Sequence, residues 1–331
     1  MTVSESQLSS AEASLAARLG DRLERDVSLG AMTTYRVGGT AALFVDVRSI
    51  DELVAVAQVR AETGVAVLVI GRGSNMLVAD EGFPGVAISI ANLADQIEIP
   101  DRSLGDRIVT AGGGVALPVL ARRTAAADLT GFEWAVGVPG SVGGAVRMNA
   151  GGHGSDMAAC VVDVLVFDMN WPTAPPRRVP VDELGLRFRA SALSPSSVVL
   201  EARLRLAEGD RPTAEAKITE IVHWRREHQP GGQNCGSVFV NPVPGEVTAG
   251  GLIDGLGLRG FSIGSAWVSE KHANFIQAGE DGSASDVRAV IEAVRAQVAE
   301  RTGFQLRSEV RLVGFDDADP LSFDEFGGDS T

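Results

Sequence analysis

Apolar residues run along this chain in two rhythms, with glycine between them. Ile50, Leu53, Val54 and Ala57 recur on one helical face. Ser49 and Glu52 open that face in the order of a capping box. Gly64 stands where a left-handed residue ends a helix. Residues 65–70 are a continuous apolar run, so this stretch predicts a β-α-β unit. Residues 107–111 predict another strand and 116–127 a second helix. Apolar strands follow at 160–167 and 197–206. Between them, Leu186 and Phe188 alternate with Arg187 and Arg189, which predicts over 182–193 a half-buried strand showing one face to a cleft. Gly209-Asp210-Arg211-Pro212 marks a boundary, and a helix over 213–227 turns Ile218, Ile221 and Val222 inward. A short helix is expected over 249–254, with short strands around Ala266 and Phe275. Val287, Val290, Ile291, Val294 and Val298 stripe a long helix, capped by Ser283 with Asp286 three on and ended by Gly303. A closing strand is predicted at 309–313. Residues before Asp26 are rich in Ser, Ala and Glu and are expected to be partly disordered or a loose helix. The acidic tail from Asp316 is expected to be disordered.

Two glycine-rich stretches break this pattern. Residues 129–156 read LTGFEWAVGVPGSVGGAVRMNAGGHGSD. They hold too many glycines for a stable helix and are too apolar for a flexible linker. Gly137, Gly140, Gly143 and Gly144 surround the rigid Pro139, while Ser141 and Asn149 add short polar groups. A backbone cradle for a large cofactor with a pyrophosphate would look like this, and so would a glycine-rich turn between strands. The other stretch, the first glycine loop in chain order, is Gly71-Arg72-Gly73-Ser74-Asn75, directly after the apolar run at 65–70. Its successive N–H groups suit an anion nest. Neither GxGxxG nor GxxxxGK[ST] spacing is present. Two such cradles in one chain suggest one extended ligand.

Charge and cysteine narrow the class. The formal charge of −14 argues against a general nucleic-acid or membrane-surface binder, because phosphate affinity needs a basic field. Cys160 and Cys235, far apart, make neither a disulfide framework nor a zinc site, and no metal is expected. The N-terminal residues lack the apolar core of a signal peptide, and no stretch is apolar enough for long enough to span a bilayer. A cytoplasmic, monomeric protein is the expectation.

The chain resembles the UDP-N-acetylenolpyruvoylglucosamine reductase family. The resemblance rests on eight runs in order between Asp26 and Phe315. They are Thr33-Thr34-Tyr35-Arg36-Val37-Gly38-Gly39, Gly71-Arg72-Gly73-Ser74-Asn75, Val138-Pro139-Gly140-Ser141-Val142-Gly143-Gly144-Ala145 and Met148-Asn149-Ala150-Gly151. Phe188-Arg189-Ala190-Ser191, Gly236-Ser237-Val238-Phe239 with Asn241-Pro242, Val268-Ser269-Glu270-Lys271-His272-Ala273-Asn274-Phe275, and Glu309-Val310-Arg311 complete them. The resemblance implies an α+β fold: a two-subdomain FAD-binding fold of the vanillyl-alcohol-oxidase type, plus a C-terminal α+β substrate-binding domain. The expected divisions are an extension at 1–25, FAD-binding subdomains at 26–92 and 93–208, the substrate domain at 209–315 and a tail at 316–331.

The implied activity is NADPH-dependent, FAD-mediated reduction of UDP-N-acetylglucosamine enolpyruvate to UDP-N-acetylmuramate, a step in peptidoglycan precursor synthesis. FAD is implied to be noncovalent. Its implied contacts are the 71–75 loop, Gly137, Pro139, Gly140, Ser141, Gly143, Gly144, Asn149, Ala150 and Gly151. Arg189 and Glu309 are implied to stabilise an enolate-like intermediate, Ser237 to protonate it and Asn241 to bind substrate. The chemistry agrees: a guanidinium fork matches a carboxylate, and a serine hydroxyl carries one proton. His272 reads as structural and His153 as lining the site at most.

Val240 and His228 stand where the family often has lysine, which leaves few cations for the substrate's diphosphate. The short stretch at 245–264 matches the form of the family without an extra Tyr-bearing loop. A flavin oxidase with a covalent cofactor, or a silent flavin or UDP-sugar binder, would be the other classes. The set Arg189, Ser237 and Glu309 argues against both.

Overall fold

The protein is described here from a computed structural model, which covers residues 3–100 and 107–315. The acidic tail lies outside the described residues. Among the described residues no helix is long and apolar enough to cross a membrane.

The N-terminal segment is not loose. Helix α1, Glu5–Leu19, opens with a complete capping box in which Ser4 and Gln7 satisfy each other's backbone N–H. Ala11 and Leu15 are fully buried. The polar composition misled because an amphipathic helix needs only one thin apolar stripe once a partner covers it. That partner is α2, Ile50–Thr63, capped by Ser49 and closed by the left-handed Gly64. Glu52 does not complete the Ser49 box; its carboxylate accepts from the Arg48 N–H instead. Because α2 is covered by both α1 and a sheet, its buried residues are Leu53, Val56, Ala57 and Val59, while Ile50 is exposed.

The first sheet runs in the order Leu23–Ser28, Thr40–Asp46, Phe83–Ser89, Val67–Ile70. The first pair is antiparallel and the other pairings are parallel. The expected β-α-β unit is present, with Phe83–Ser89 between its two strands.

The second sheet is antiparallel, in the order Arg177–Pro180, Val161–Asp168, Ser197–Arg205, Ile108–Gly112, Ile97–Glu98. Helix α3, Leu117–Ala126, packs on it. Two expectations fail nearby. The glycine-rich stretch does contain a helix, the six-residue α4, Val142–Arg147, with Ser141 as its cap. Its Gly143 N–H donates to the Gly113 carbonyl at 2.8 Å, so tertiary contact overrides glycine's poor propensity. The alternating 182–193 stretch is not a strand. Arg187 and Ala190 close a tight turn on each other, Phe188 is 61% exposed, and Arg189 sits at the left-handed φ of 55°. Helix α5, Arg211–His228, buries Ala214, Ile218 and Ile221 in this same second core rather than in the last part of the chain.

The remaining residues build a third core around α6, Ala249–Gly255, and α7, Ala284–Thr302. The predicted valine stripe of α7 is buried throughout. A small antiparallel sheet, Ser262–Ile263, Ala266–Val268, Ile276–Ala278, lies against it. The chain then returns to its beginning. Strand Arg311–Val313 pairs in parallel with Met76–Val78, just after the first glycine loop.

The α1 packing carries a prediction. Leu15→Ala should cost about 2–5 kcal/mol, the range for a deleted core leucine, measured by urea denaturation. A change within error would mean that the first helix is dispensable.

Candidate active site

The two glycine loops meet. A Cβ placed on Gly71 would lie 2.5 Å from Ser141 Oγ, so only glycine permits this approach. Arg72 Nε donates to the Pro139 carbonyl at 3.1 Å. A Cβ on Gly140 would touch Ser74 Oγ at 3.4 Å, and Gly73 is buried against Met32 and Thr33. Gly144 donates its N–H to Ser141 Oγ at the start of α4. The loops thus form one continuous glycine-lined surface.

Several polar residues expected to face a ligand are committed to protein. Asn149, at a φ of 38°, donates to Asp156 and to the Arg187 carbonyl and accepts from the Ala158 N–H. It shapes the turn. Ala150 and Gly151 continue that turn, and Gly151 pairs with Asp156. Asn75 Nδ2 donates to the Glu309 carbonyl at 2.8 Å. Asn241 Oδ1 accepts from the Ala249 N–H and helps start α6.

The three residues implied to be catalytic come from distant parts of the chain and converge. Arg189 Nε donates to Glu309 Oε2 at 3.1 Å, and its Nη2 donates to the Gly151 carbonyl at 3.0 Å. Glu309 N–H donates to the Val238 carbonyl at 2.7 Å, which sets Ser237 beside Glu309. Ser237 is half-buried after the left-handed Gly236, φ 89°. Its hydroxyl makes no hydrogen bond to protein among the described residues. Burial pushes the Glu309 carboxyl above its ordinary range, and the Arg189 guanidinium opposes this without overcoming it.

Asn274 was missed as a site-building residue. It is buried, donates to the Phe239 carbonyl at 2.8 Å and accepts from the Phe239 N–H at 3.0 Å, gripping both backbone groups two residues past Ser237. Its place in the 268–275 run was the available signal. His272 Nδ1 accepts from the Asn274 N–H, a structural role. Cys235 lies beside the buried Tyr35 hydroxyl, and burial raises its thiol to about 12. That is the wrong direction for a reactive thiol. Cys160 is buried and likewise raised to about 12.

A glycine-lined double loop beside a half-buried Arg–Glu pair and an open serine hydroxyl suits a flavin-dependent oxidoreductase. Comparison with known proteins agrees. Residues 41–170 match the FAD binding domain model, and residues 228–313 match the model of the UDP-N-acetylenolpyruvoylglucosamine reductase C-terminal domain. The reductase of Heliobacterium modesticaldum is 43% identical over 284 residues, covering 85% of this chain and 88% of that protein. The reductase of Synechococcus sp. strain RCC307 is 43% identical over 295 residues, covering 88% and 94%. The crystal structure of the reductase from Thermus caldophilus superposes with a TM-score of 0.73 at 32% identity, covering 88% of this chain and 99% of that one. The fold is the two-subdomain FAD-binding type with a C-terminal α+β domain, and the protein is a flavin oxidoreductase. The chain belongs to the UDP-N-acetylenolpyruvoylglucosamine reductase family.

The Glu309 environment predicts a pH dependence. A carboxyl with a raised folded-state pKa binds its proton more tightly folded than unfolded. Its contribution to stability is fully present below the ordinary glutamate value and is lost as pH rises through the raised one. Glu309→Gln is neutral at every pH and lacks this dependence. The unfolding free energy of the parent, relative to Glu309→Gln, should therefore decline as pH rises above the ordinary glutamate value of about 4.3, followed by urea titrations at each pH. Parallel curves would refute the raised carboxyl.

Proposed function

We propose that this protein reduces the enolpyruvyl ether of UDP-N-acetylglucosamine enolpyruvate to UDP-N-acetylmuramate, with noncovalent FAD and NADPH. The observation that carries the reading is the convergence of Arg189, Glu309 and Ser237 beside the joined glycine loops. The loops fit the cofactor: Gly71, Gly73, Gly140, Gly143 and Gly144 leave backbone rather than side chains at the surface, where a flat ring and a pyrophosphate need close approach. Once bound and reduced by NADPH, FAD would supply the hydride to one alkene carbon.

The remaining work falls to side chains. Arg189 presents a fork whose donors now rest on Glu309 and the Gly151 carbonyl. A substrate carboxylate would take up those donors, and the attraction would grow as negative charge develops on it. Glu309, its carboxyl held above the ordinary range by burial, lies against the same fork, and in its protonated form it would donate a hydrogen bond to that charge. Ser237 would give its hydroxyl proton to the second alkene carbon, which completes the two new C–H bonds. Its unengaged hydroxyl supports that role. Glycines 137–144 and Asn149–Gly151 shape the cofactor side. Asn241, whose side chain helps start α6, would act on the substrate side only by holding that helix. His153 packs edge-on to Trp224, in keeping with a cofactor that is not covalently attached. The reading places the enzyme in the reducing cytoplasm, acting as a monomer on a nucleotide sugar made there; two free cysteines are consistent with this.

The test is anaerobic spectroscopy of the purified protein. It should be yellow, bleach with NADPH, and recover its colour when the enolpyruvyl nucleotide sugar is added. Failure to recover with that substrate would refute the assignment. Ser237→Ala should bleach at a near-normal rate, while recovery slows roughly a hundredfold or more, the usual cost of a lost proton donor. Stopped-flow traces with both half-reactions slowed equally would remove Ser237 from the proton-donor role.

A further inference from the structure

Tyr35, the chain's sole tyrosine, is fully buried in the third core, and its hydroxyl has no hydrogen-bond partner among the described residues. Phenylalanine would fill the same space without leaving a buried hydroxyl unsatisfied. The group beside that hydroxyl is the Cys235 thiol, itself packed against the third core. Burial keeps this thiol protonated, with a smaller push from the Glu309 carboxyl. Burial likewise keeps the proton on Tyr35. A neutral O–H and a neutral S–H therefore face each other, two residues before Ser237.

Each partner is tied to a different part of the site. Beside Tyr35, the Thr34 N–H donates to the Gly73 carbonyl at 3.1 Å and Thr34 Oγ1 donates to the Ser74 carbonyl at 3.5 Å. A Cβ on Gly73 would lie 2.4 Å from the Met32 carbonyl oxygen, so this segment is pressed against the first glycine loop. Cys235 lies in the segment that carries Ser237, and that segment is held at both ends. The Ala278 N–H donates to the Gln233 carbonyl at 3.0 Å, and Asn274 grips Phe239. Oriented so that its oxygen and nitrogen both find partners, the Gln233 side-chain amide donates to the Tyr35 carbonyl at 2.6 Å and to the Gly279 carbonyl at 3.2 Å. Between those ends, the Gly236 N–H donates to Asn234 Oδ1 at 3.1 Å, a contact within the segment. That bond shapes the turn without setting its height above the core. Cys235 is the residue that seats the turn on the core.

We propose that Tyr35 and Cys235 form a positioning pair, in which the Tyr35 hydroxyl donates to Cys235 Sγ and so holds the Ser237 hydroxyl at a fixed place relative to the first glycine loop. Sulfur is a weak acceptor, but in a dry core it competes with no water. The inference rests on the reductase reading of Ser237 as proton donor. A reacting group misplaced by about 1 Å can cost roughly a hundredfold in rate. Reduction of the flavin needs no proton from Ser237, so the pair acts on one half-reaction and spares the other.

A single tyrosine makes the pair visible without turnover. With tyrosine labelled at 13Cζ, the flavin-loaded protein should give one NMR line. Cys235→Ala should shift that line, and Cys160→Ala, whose thiol lies in the second core, should not. In stopped flow, Tyr35→Phe and Cys235→Ala should each slow recovery of the flavin colour by the enolpyruvyl nucleotide sugar about tenfold or more. Bleaching by NADPH should stay near the parent's rate, and the solvent deuterium isotope effect on recovery should rise. The double variant should be no slower than the slower single one, because the two residues act as one unit. Cys235→Ser, which keeps an acceptor in place, should regain most of the rate. Recovery at the parent's rate in both single variants, additive losses in the double variant, or equal slowing of both half-reactions would overturn the pair. So would an unmoved tyrosine line in Cys235→Ala. If Tyr35→Phe folds poorly, the two Cys235 variants carry the test. If the parent itself bleaches but does not recover, the reductase reading fails, and the tyrosine line alone decides the pair.

Discussion

The parallel pairing of Arg311–Val313 with Met76–Val78 is the contact on which the site depends. It joins segments separated by most of the chain. Arg311 N–H donates to the Asn75 carbonyl and Ala79 N–H donates to the Val313 carbonyl, so the pairing is anchored at both ends. Glu309 is delivered to the first glycine loop by this pairing. Loop-closure entropy grows only slowly with length, so a return over such a distance is affordable once backbone bonds and the third core secure it. The approach is tight. A Cβ on Gly38 would lie 2.1 Å from the Val78 carbonyl oxygen, at a φ of 103° that other residues resist.

Around that pairing, backbone strain and charge are placed together. Arg189 holds a left-handed conformation in a turn closed by reciprocal bonds between Arg187 and Ala190, at 3.0 and 3.1 Å. Such a conformation costs about 1–3 kcal/mol where it lacks glycine, and persists where its surroundings over-determine it. Here Glu309 and the Gly151 carbonyl do so. The same geometry sets a partly buried carboxyl against a guanidinium, and burial holds that carboxyl above its ordinary range. Phe239 bridges to Ser308 on one side, and on the other the Asn274 side chain bonds both of its backbone groups, which fixes the segment that carries Ser237.

Much of this was legible in the sequence, and the reason differs by element. The helices α2, α5 and α7 carry side-chain caps and apolar spacing and α3 an apolar face alone, and all four follow from local pattern because a helix satisfies its own backbone and needs only a face to bury. The 182–193 stretch did not, because alternation of Leu186, Arg187, Phe188 and Arg189 fits a turn as well as a strand when no neighbouring strand can be seen. Asn75, Asn149 and Asn241 were assigned to ligands through the family runs that contain them. A short amide serves a backbone turn equally well, and only coordinates show which partner it has found.

The sequence by itself determined the family and the glycine loops and singled out Arg189, Ser237 and Glu309 as candidates, because ordered short motifs carry their own local backbone geometry. It also determined the α7 stripe and the caps at Ser49 and Ser283. Tertiary structure decided the rest. It made α1 a packed helix, gave α4 its helix despite two glycines, and sent the inner face of α5 to the second core. It also brought Arg225 and His153 together over Gly137. These outcomes turn on which surface each segment meets. Burial and pairing energies come from residues far apart in the chain, which local pattern does not contain.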